Sequence, residues 1–152
     1  ILGGGTTSFL AEELQFDSKI ATYVASFYRG VSLDDTTFNL IVVPQEGVSL
    51  QEAEDAMDAA LAKFMETGVD PDQVARIKFR LRAQQVYARD DVDSIGNRYG
   101  QGLTTGLTVE DIQAWPDVLQ AVTEEDIMRV ARDVLDRRSS VTGWLMREEV
   151  TQ

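Results

Sequence analysis

The sequence of 152 residues contains no cysteine and no histidine. Without cysteine there is no disulfide, no thiol nucleophile and no thiolate metal ligand, and that absence suits a reducing and an oxidising compartment equally. Without histidine a Ser-His-Asp triad, a Cys-His pair and a His-ligated zinc are all excluded within this chain. Any such chemistry must be supplied from elsewhere. Cations are scarce as well: 14 Lys and Arg stand against 26 Asp and Glu, a formal charge of −12. Neutralising phosphates takes clustered Lys and Arg, so nucleic acid is not an expected partner, and an anionic membrane surface is disfavoured on the same ground. The densest basic run, Arg76, Lys78, Arg80 and Arg82, spreads over more than one face of a helix and reads as solvated surface. Long apolar runs are missing too. Leu40 to Pro44 and the stretch around Ile20 to Phe27 fall far short of the roughly 18–20 residues that cross a bilayer, so no membrane span is expected. The opening ILGGGTTS has neither the basic nor the long apolar region of a signal peptide, and any targeting signal is expected upstream of Ile1.

What is present predicts one globular domain over residues 1–152, with 43% hydrophobic residues and 26% charged. Gly3-Gly4-Gly5 predicts a chain reversal, after which Thr6, Thr7 or Ser8 caps a short helix to about Leu14. From Ile20 to Tyr28 the periodicity changes to two: Ala21, Tyr23, Ala25 and Phe27 share one side, and Ile20, Thr22, Val24, Ser26 and Tyr28 the other. Gly30 and the polar Ser32, Asp34 and Asp35 make a turn into a second strand from about Thr36 to Val43, ended by Pro44, and the pair predicts an antiparallel hairpin.

Helices follow. Ser49 and Glu52 have capping-box spacing, and Leu50, Ala53, Met57, Leu61 and Phe64 repeat every three or four residues up to Gly68. Asp70-Pro71 starts a second helix that is expected to reach Arg89. A third is expected from Asp93 to about Leu103. The stretch Thr108 to Val122 reads as short and broken at Pro116. The last helix has the clearest signals: Thr123 as cap, Glu124, Glu125 and Asp126 at its positive end, Arg137 and Arg138 beyond its negative end, and an apolar stripe of Ile127, Val130, Ala131, Val134 and Leu135. Ser140 to Met146 is expected to close the chain as a strand. The order strand, strand, helices, strand predicts an α+β domain whose helices cover one face of a mainly antiparallel sheet. Three strands make a thin sheet with an open edge, so at least one strand and one helix are expected before Ile1, which makes the chain N-terminally truncated.

Several local patterns invite functional readings. Gly3-Gly4-Gly5-Thr6-Thr7 has glycines enough for a phosphate cradle, but it lacks the lysine and the preceding strand of a P-loop; a turn that lines a cavity is the better account. Asp90-Asp91-Val92-Asp93 opens like a calcium loop, yet Ile95 stands where an oxygen ligand belongs and no glutamate closes the loop. A new helix cap explains it. Arg98 and Tyr99 are adjacent, so on a helix they diverge by about 100°. Trp115 and Trp144 read as core or interface aromatics.

Four segments in order resemble one family. They are Ile1-Leu2-Gly3-Gly4-Gly5-Thr6-Thr7-Ser8 with Leu10-Ala11-Glu12-Glu13-Leu14, then Gly47-Val48-Ser49-Leu50 with Glu66-Thr67-Gly68-Val69, then Val122-Thr123-Glu124-Glu125-Asp126-Ile127 with Val130-Ala131-Arg132, and finally Ser140 to Leu145. Together they resemble the non-zinc domain of insulinase/pitrilysin metallopeptidases, the family of bacterial zinc proteases and the mitochondrial processing peptidase. The resemblance implies a two-domain subunit built as a clamshell. One half holds zinc on an inverted HxxEH helix, where zinc-bound water attacks the peptide carbonyl. The other half, which this chain resembles, closes the chamber and helps to hold an extended peptide. It implies no catalytic and no metal-ligating residue in this chain; zinc, and the N-terminal domain that carries it, come from outside.

One departure bears on partners. Active non-zinc domains of the family offer an Arg after the Glu-Leu pair and a Tyr seven residues on, which support the substrate carbonyl and its oxyanion. The matching positions here are Gln15 and Thr22, while Tyr23 comes one residue late and, in a regular strand, on the opposite face. Gln15 and Thr22 are thus the chamber-lining positions that the resemblance implies, with Gly3, Gly4 and Gly5 as a cavity loop. Either a companion subunit supplies the Arg and Tyr, in a heterodimer or a homodimer, or the parent protein has no peptidase activity and is a structural subunit like the respiratory-complex core proteins of the same fold. The habit of bacterial members favours the periplasm or cell envelope.

Overall fold

A computed structural model gives the structure of the protein and describes residues 1–88 and 90–146. Helix boundaries follow the cap chemistry closely. Helix α2, Leu50–Thr67, begins at Ser49, whose hydroxyl accepts from the Glu52 amide while the Glu52 carboxylate accepts from the Ser49 N–H. It ends at Gly68, where a φ of 76° turns the chain out of the helix. Helix α3, Pro71–Tyr87, is capped by the Asp70 carboxylate on the Asp72 amide; its expected end at Arg89 lies outside the described residues. Helix α4, Val92–Thr104, starts at Asp91, which accepts from the amides of Asp93 and Ser94, so the aspartate run is a helix cap. Helices α5, Val109–Ala121, and α6, Glu124–Val134, each open on a capping box, Thr108 with Asp111 and Thr123 with Asp126.

The first helix, α1, departs from expectation. A single α-turn, Phe9–Ala11, widens into a π-helix over Glu12–Asp17, three residues beyond the expected end at Leu14. The Ser18 amide accordingly bonds the Glu13 carbonyl five residues back. Ser8 does not cap this helix with its side chain; its hydroxyl donates to the Gly5 carbonyl at 2.6 Å and closes the glycine turn instead.

Strands β1, Ala21–Tyr28, and β2, Phe38–Pro44, pair antiparallel, with Val24 opposite Val42 and Ser26 opposite Leu40. One face of this hairpin, with Val24, Leu40 and Val42, meets Leu10 and Leu14 of α1 and Met57 and Ala60 of α2, and these groups form the core cluster. Phe9 stacks edge-on against Phe64 at 5.3 Å between ring centres, which ties α1 to α2. The fold is therefore α+β, with helices on one face of an antiparallel sheet.

Two expectations fail, each for a physical reason, and one helix packs less than its apolar stripe suggests. Helix α5 runs unbroken through Pro116. The proline costs the bond to the Ile112 carbonyl, about 3 kcal/mol in a helix interior, but both flanks are anchored. Ile112 is buried against Gly102 of α4, and Gln120 exchanges two bonds with Lys78 of α3, Nζ to carbonyl at 2.8 Å and Nε2 to carbonyl at 3.2 Å. Helix α6, despite its apolar stripe, buries no residue; Val130 and Val134 are each 46% exposed. The closing strand does not form among the described residues: 140–146 joins neither strand of the sheet, with Val141 98% exposed and Leu145 94%, and this end of the chain, from Arg137 on, lies against α2. It is tied to the flank of α2 by an Arg137–Asp58 ion pair at 2.6 Å and by the Trp144 indole N–H on the Glu54 carboxylate at 2.8 Å. Neither tryptophan lies in the core; Trp115 and Trp144 remain about half exposed.

The capping boxes set the acid response. The Thr123 hydroxyl and N–H and the Arg129 guanidinium hold the Asp126 carboxyl down at about 2, from an ordinary value of 3.8. The Ser49 and Thr108 N–H and hydroxyl groups likewise lower Glu52 and Asp111. A carboxyl whose folded pKa is depressed contributes stability that is present above its ordinary value and lost as pH falls through the folded one. The melting midpoint followed by far-UV circular dichroism is therefore expected to fall between pH 3.8 and about 2, and to fall less in Asp126→Asn, which has no carboxyl to protonate.

Candidate functional site: the uncovered face of the sheet

The helices leave the second face of the hairpin bare. Tyr23 and Phe27 of β1 and Ile41 and Val43 of β2 lie there, Tyr23 directly opposite Val43, and they are 53%, 51%, 40% and 44% exposed. Side chains on one face of a strand recur about every 6.5–7 Å, so this row presents apolar contacts at the repeat of an extended peptide.

A β-bulge sets which residues face outward. The register shifts between Ala21, opposite Pro44, and Tyr23, opposite Val43, and leaves Thr22 without a partner in the ladder. Ala21 and Val24 are consequently both buried, although they stand three residues apart, and Thr22 and Tyr23 are both exposed. The strict alternation that sends Tyr23 to the face opposite Thr22 does not hold. The sequence carries no sign of this: the bulge has no glycine, and residues 20–28 include apolar or small side chains in both phases.

Gln15 and Thr22 do come together, but through the backbone. The Gln15 side-chain amide donates to the Thr22 carbonyl at 2.8 Å, and the Thr22 hydroxyl donates to the Val43 carbonyl at 3.2 Å. Gln15 is half-buried and spends its amide N–H on the strand. The glycines divide. Gly3 is buried, its carbonyl accepting from the Ser26 amide at 3.0 Å, whereas Gly4 and Gly5 are exposed with open space where a Cβ would stand. Gly3 is thus a packing position, and only Gly4 and Gly5 are free to line a surface. An open groove of about 750 Å³ between α1 and the α2–α3 turn is floored by Phe9, Phe16 and Phe64 and rimmed by Asp70 and Arg76. It lies apart from the sheet face. Arg98 stacks its guanidinium on the Tyr99 ring, 5.7 Å from the centre, and Tyr99 also takes a long bond from Gln113.

The donor set does not fit a zinc ion. The chain has neither histidine nor cysteine, and among the described residues no three Asp or Glu side chains converge. No described helix is long and apolar enough to cross a membrane.

A two-stranded antiparallel sheet covered by helices on one face and bare on the other defines the domain as α+β. Solved structures share it. The chain superposes on a candidate zinc protease from Bordetella pertussis with a TM-score of 0.81, at 17% identity, over 97% of this chain and 80% of that one. It superposes on a protease from Helicobacter pylori with a TM-score of 0.78, also at 17% identity, over 88% of this chain and 32% of that one. In sequence it is 29% identical to an uncharacterized zinc protease of Streptomyces coelicolor over 147 residues, 93% of this chain, and spans 30% of that relative's length. The family described as the peptidase M16 inactive domain matches residues 1–81. The chain belongs to that family, the non-zinc domains of insulinase/pitrilysin-type metallopeptidases. Among the described residues, all the buried hydrophobic ones except Ile112 fall within the matched stretch.

Proposed function

We propose that this chain is the non-catalytic half of a zinc-dependent endopeptidase, that it closes the proteolytic chamber, and that the bare sheet face holds extended peptide. The observation that carries the reading is the row Tyr23, Phe27, Ile41 and Val43, left uncovered in a domain whose opposite face is well packed. A soluble domain seldom leaves such a row free without a binding role. Hydrolysis is supplied by a separate zinc-bearing domain. No arginine stands at position 15, and the Gln15 amide is engaged by the strand, which favours a companion subunit as the source of the arginine that would support a peptide carbonyl.

Peptide binding tests this directly. An unstructured, fluorescently labelled peptide with Val and Phe at alternate positions should bind the chain in an anisotropy titration. Ile41→Asp, which sets an unpaired charge in the middle of the face, should weaken that binding at least about tenfold, the equivalent of about 1.4 kcal/mol. Equal binding by wild type and Ile41→Asp would remove the sheet face from consideration. A wild type that binds no peptide at all would favour a structural subunit of the same fold.

A further inference from the structure

Two irregularities face each other across the top of the core. Helix α1 carries a π-helical segment, Glu12–Asp17, and β1 carries its bulge at Thr22, so each element holds a residue more than its regular form. Gln15 joins them. Its amide binds the Thr22 carbonyl on one side of the bulge, while the Thr22 hydroxyl reaches the Val43 carbonyl on the other. The bulge therefore has two tethers, one to α1 and one to β2.

The tethers matter because side-chain direction in a strand has a period of two. Counted regularly from buried Ala21, Tyr23 would point into the core and Val24 out of it. With Thr22 taken up as the extra residue the phase inverts: Val24 enters the core, and Tyr23 joins Phe27, Ile41 and Val43 on the bare face. Core packing of Val24 alone could select this phase, but it supplies no hydrogen bond to the carbonyl of the displaced residue. Gln15 does. π-Helical segments recur at functional sites because they aim a side chain that a regular helix would turn elsewhere.

We propose that Gln15 is a positioning residue: by clamping the Thr22 bulge it holds Tyr23 on the bare sheet face, where the phenol ring packs on the bound peptide. This rests on the reading of that face as a peptide-holding surface. Gln15 itself does not touch the peptide. The ring of Tyr23, beside Val43, supplies contact area and selects for apolar side chains at the position it meets.

The test is a double-mutant cycle on the 152-residue chain, read by the same anisotropy titration with melting curves as a folding check. Tyr23→Ala should weaken peptide binding about fivefold. Gln15→Glu keeps the shape but has no N–H to offer, and should weaken it by a similar factor. The double variant should bind no more weakly than Tyr23→Ala alone, because Gln15 acts through the ring. Gln15→Lys, which restores a donor, should bind within about twofold of wild type. If Gln15→Glu does not fold, Thr22→Val removes the second tether and carries the same expectation. Losses from Gln15→Glu and Tyr23→Ala that multiply in full, or a Gln15→Glu chain that binds like wild type, overturn the positioning role and leave the sheet face standing. Unchanged binding by Ile41→Asp overturns the face and this proposal with it.

Discussion

Leu10→Ala is expected to cost about 3–5 kcal/mol, at the upper end for truncating a buried leucine. Leu10 is fully buried, with a relative exposure of 0%, and sits where α1, β1 and α2 meet. Its neighbours Leu14, Val24 and Met57 come from three different elements, so no single element can move in to fill the void. Domains of this size are stable by only about 5–15 kcal/mol, and the midpoint of urea unfolding should drop sharply with an unchanged slope. Val130→Ala on α6, where the side chain is 46% exposed, should stay within about 0.5 kcal/mol of wild type. An equal loss for the two would mean that burial is not what holds the fold.

Gly3→Val is expected to cost about 2–3 kcal/mol through a different route. A Cβ at Gly3 would stand 2.6 Å from the Ser26 amide nitrogen and 2.8 Å from its hydroxyl oxygen. The nearest obstacle is strand backbone, which cannot rotate away as a side chain does. The opening segment must lift instead, and with it go the Ser26 N–H to Gly3 carbonyl bond at 3.0 Å and the bonds from the Phe9 and Leu10 amides to the Ile1 and Leu2 carbonyls at 3.1 and 2.9 Å. Gly4→Val is the control, since nothing lies within 4 Å of its Cβ position. Urea titrations should separate the two by the full amount, and amide exchange at Ser26 should quicken only in the Gly3 variant.

Where sequence reading succeeded, the determinant was local. The Ser49–Glu52 and Thr123–Asp126 caps, Pro71 at a first helical position and Gly68 at a helix end act within a few residues, and each stands where the spacing put it. The absence of histidine excluded a His-ligated zinc by residue count alone. Where it failed, the determinant was a contact between distant residues. Pro116 is carried by Ile112 on Gly102 and by Gln120 on Lys78. Whether 140–146 becomes a strand depends on a neighbouring strand with free edge groups, which no property of Val141, Gly143 or Leu145 reveals. The apolar stripe of α6 marks a helix correctly and misplaces it, since periodicity gives a face but not what the face meets. The candidate site lay between these cases. Gln15 and Thr22 were named by their place in the family pattern, while the bulge that turns Tyr23 outward leaves no mark in composition.

Among the described residues, all of the tightly packed hydrophobic side chains but Ile112 occur no later than Val74. The two halves of the chain must therefore tolerate substitution on unequal terms. Up to α3, a change of a single methylene meets neighbours that have no room to give. From α4 onward most described positions are exposed, and Ile112 on Gly102, the Lys78–Gln120 bonds, Arg137–Asp58 and Trp144–Glu54 supply the contacts that reach beyond helix caps. Exposed positions in α4 to α6 are therefore expected to accept substitution at lower cost than the opening hairpin and the two helices that cover it.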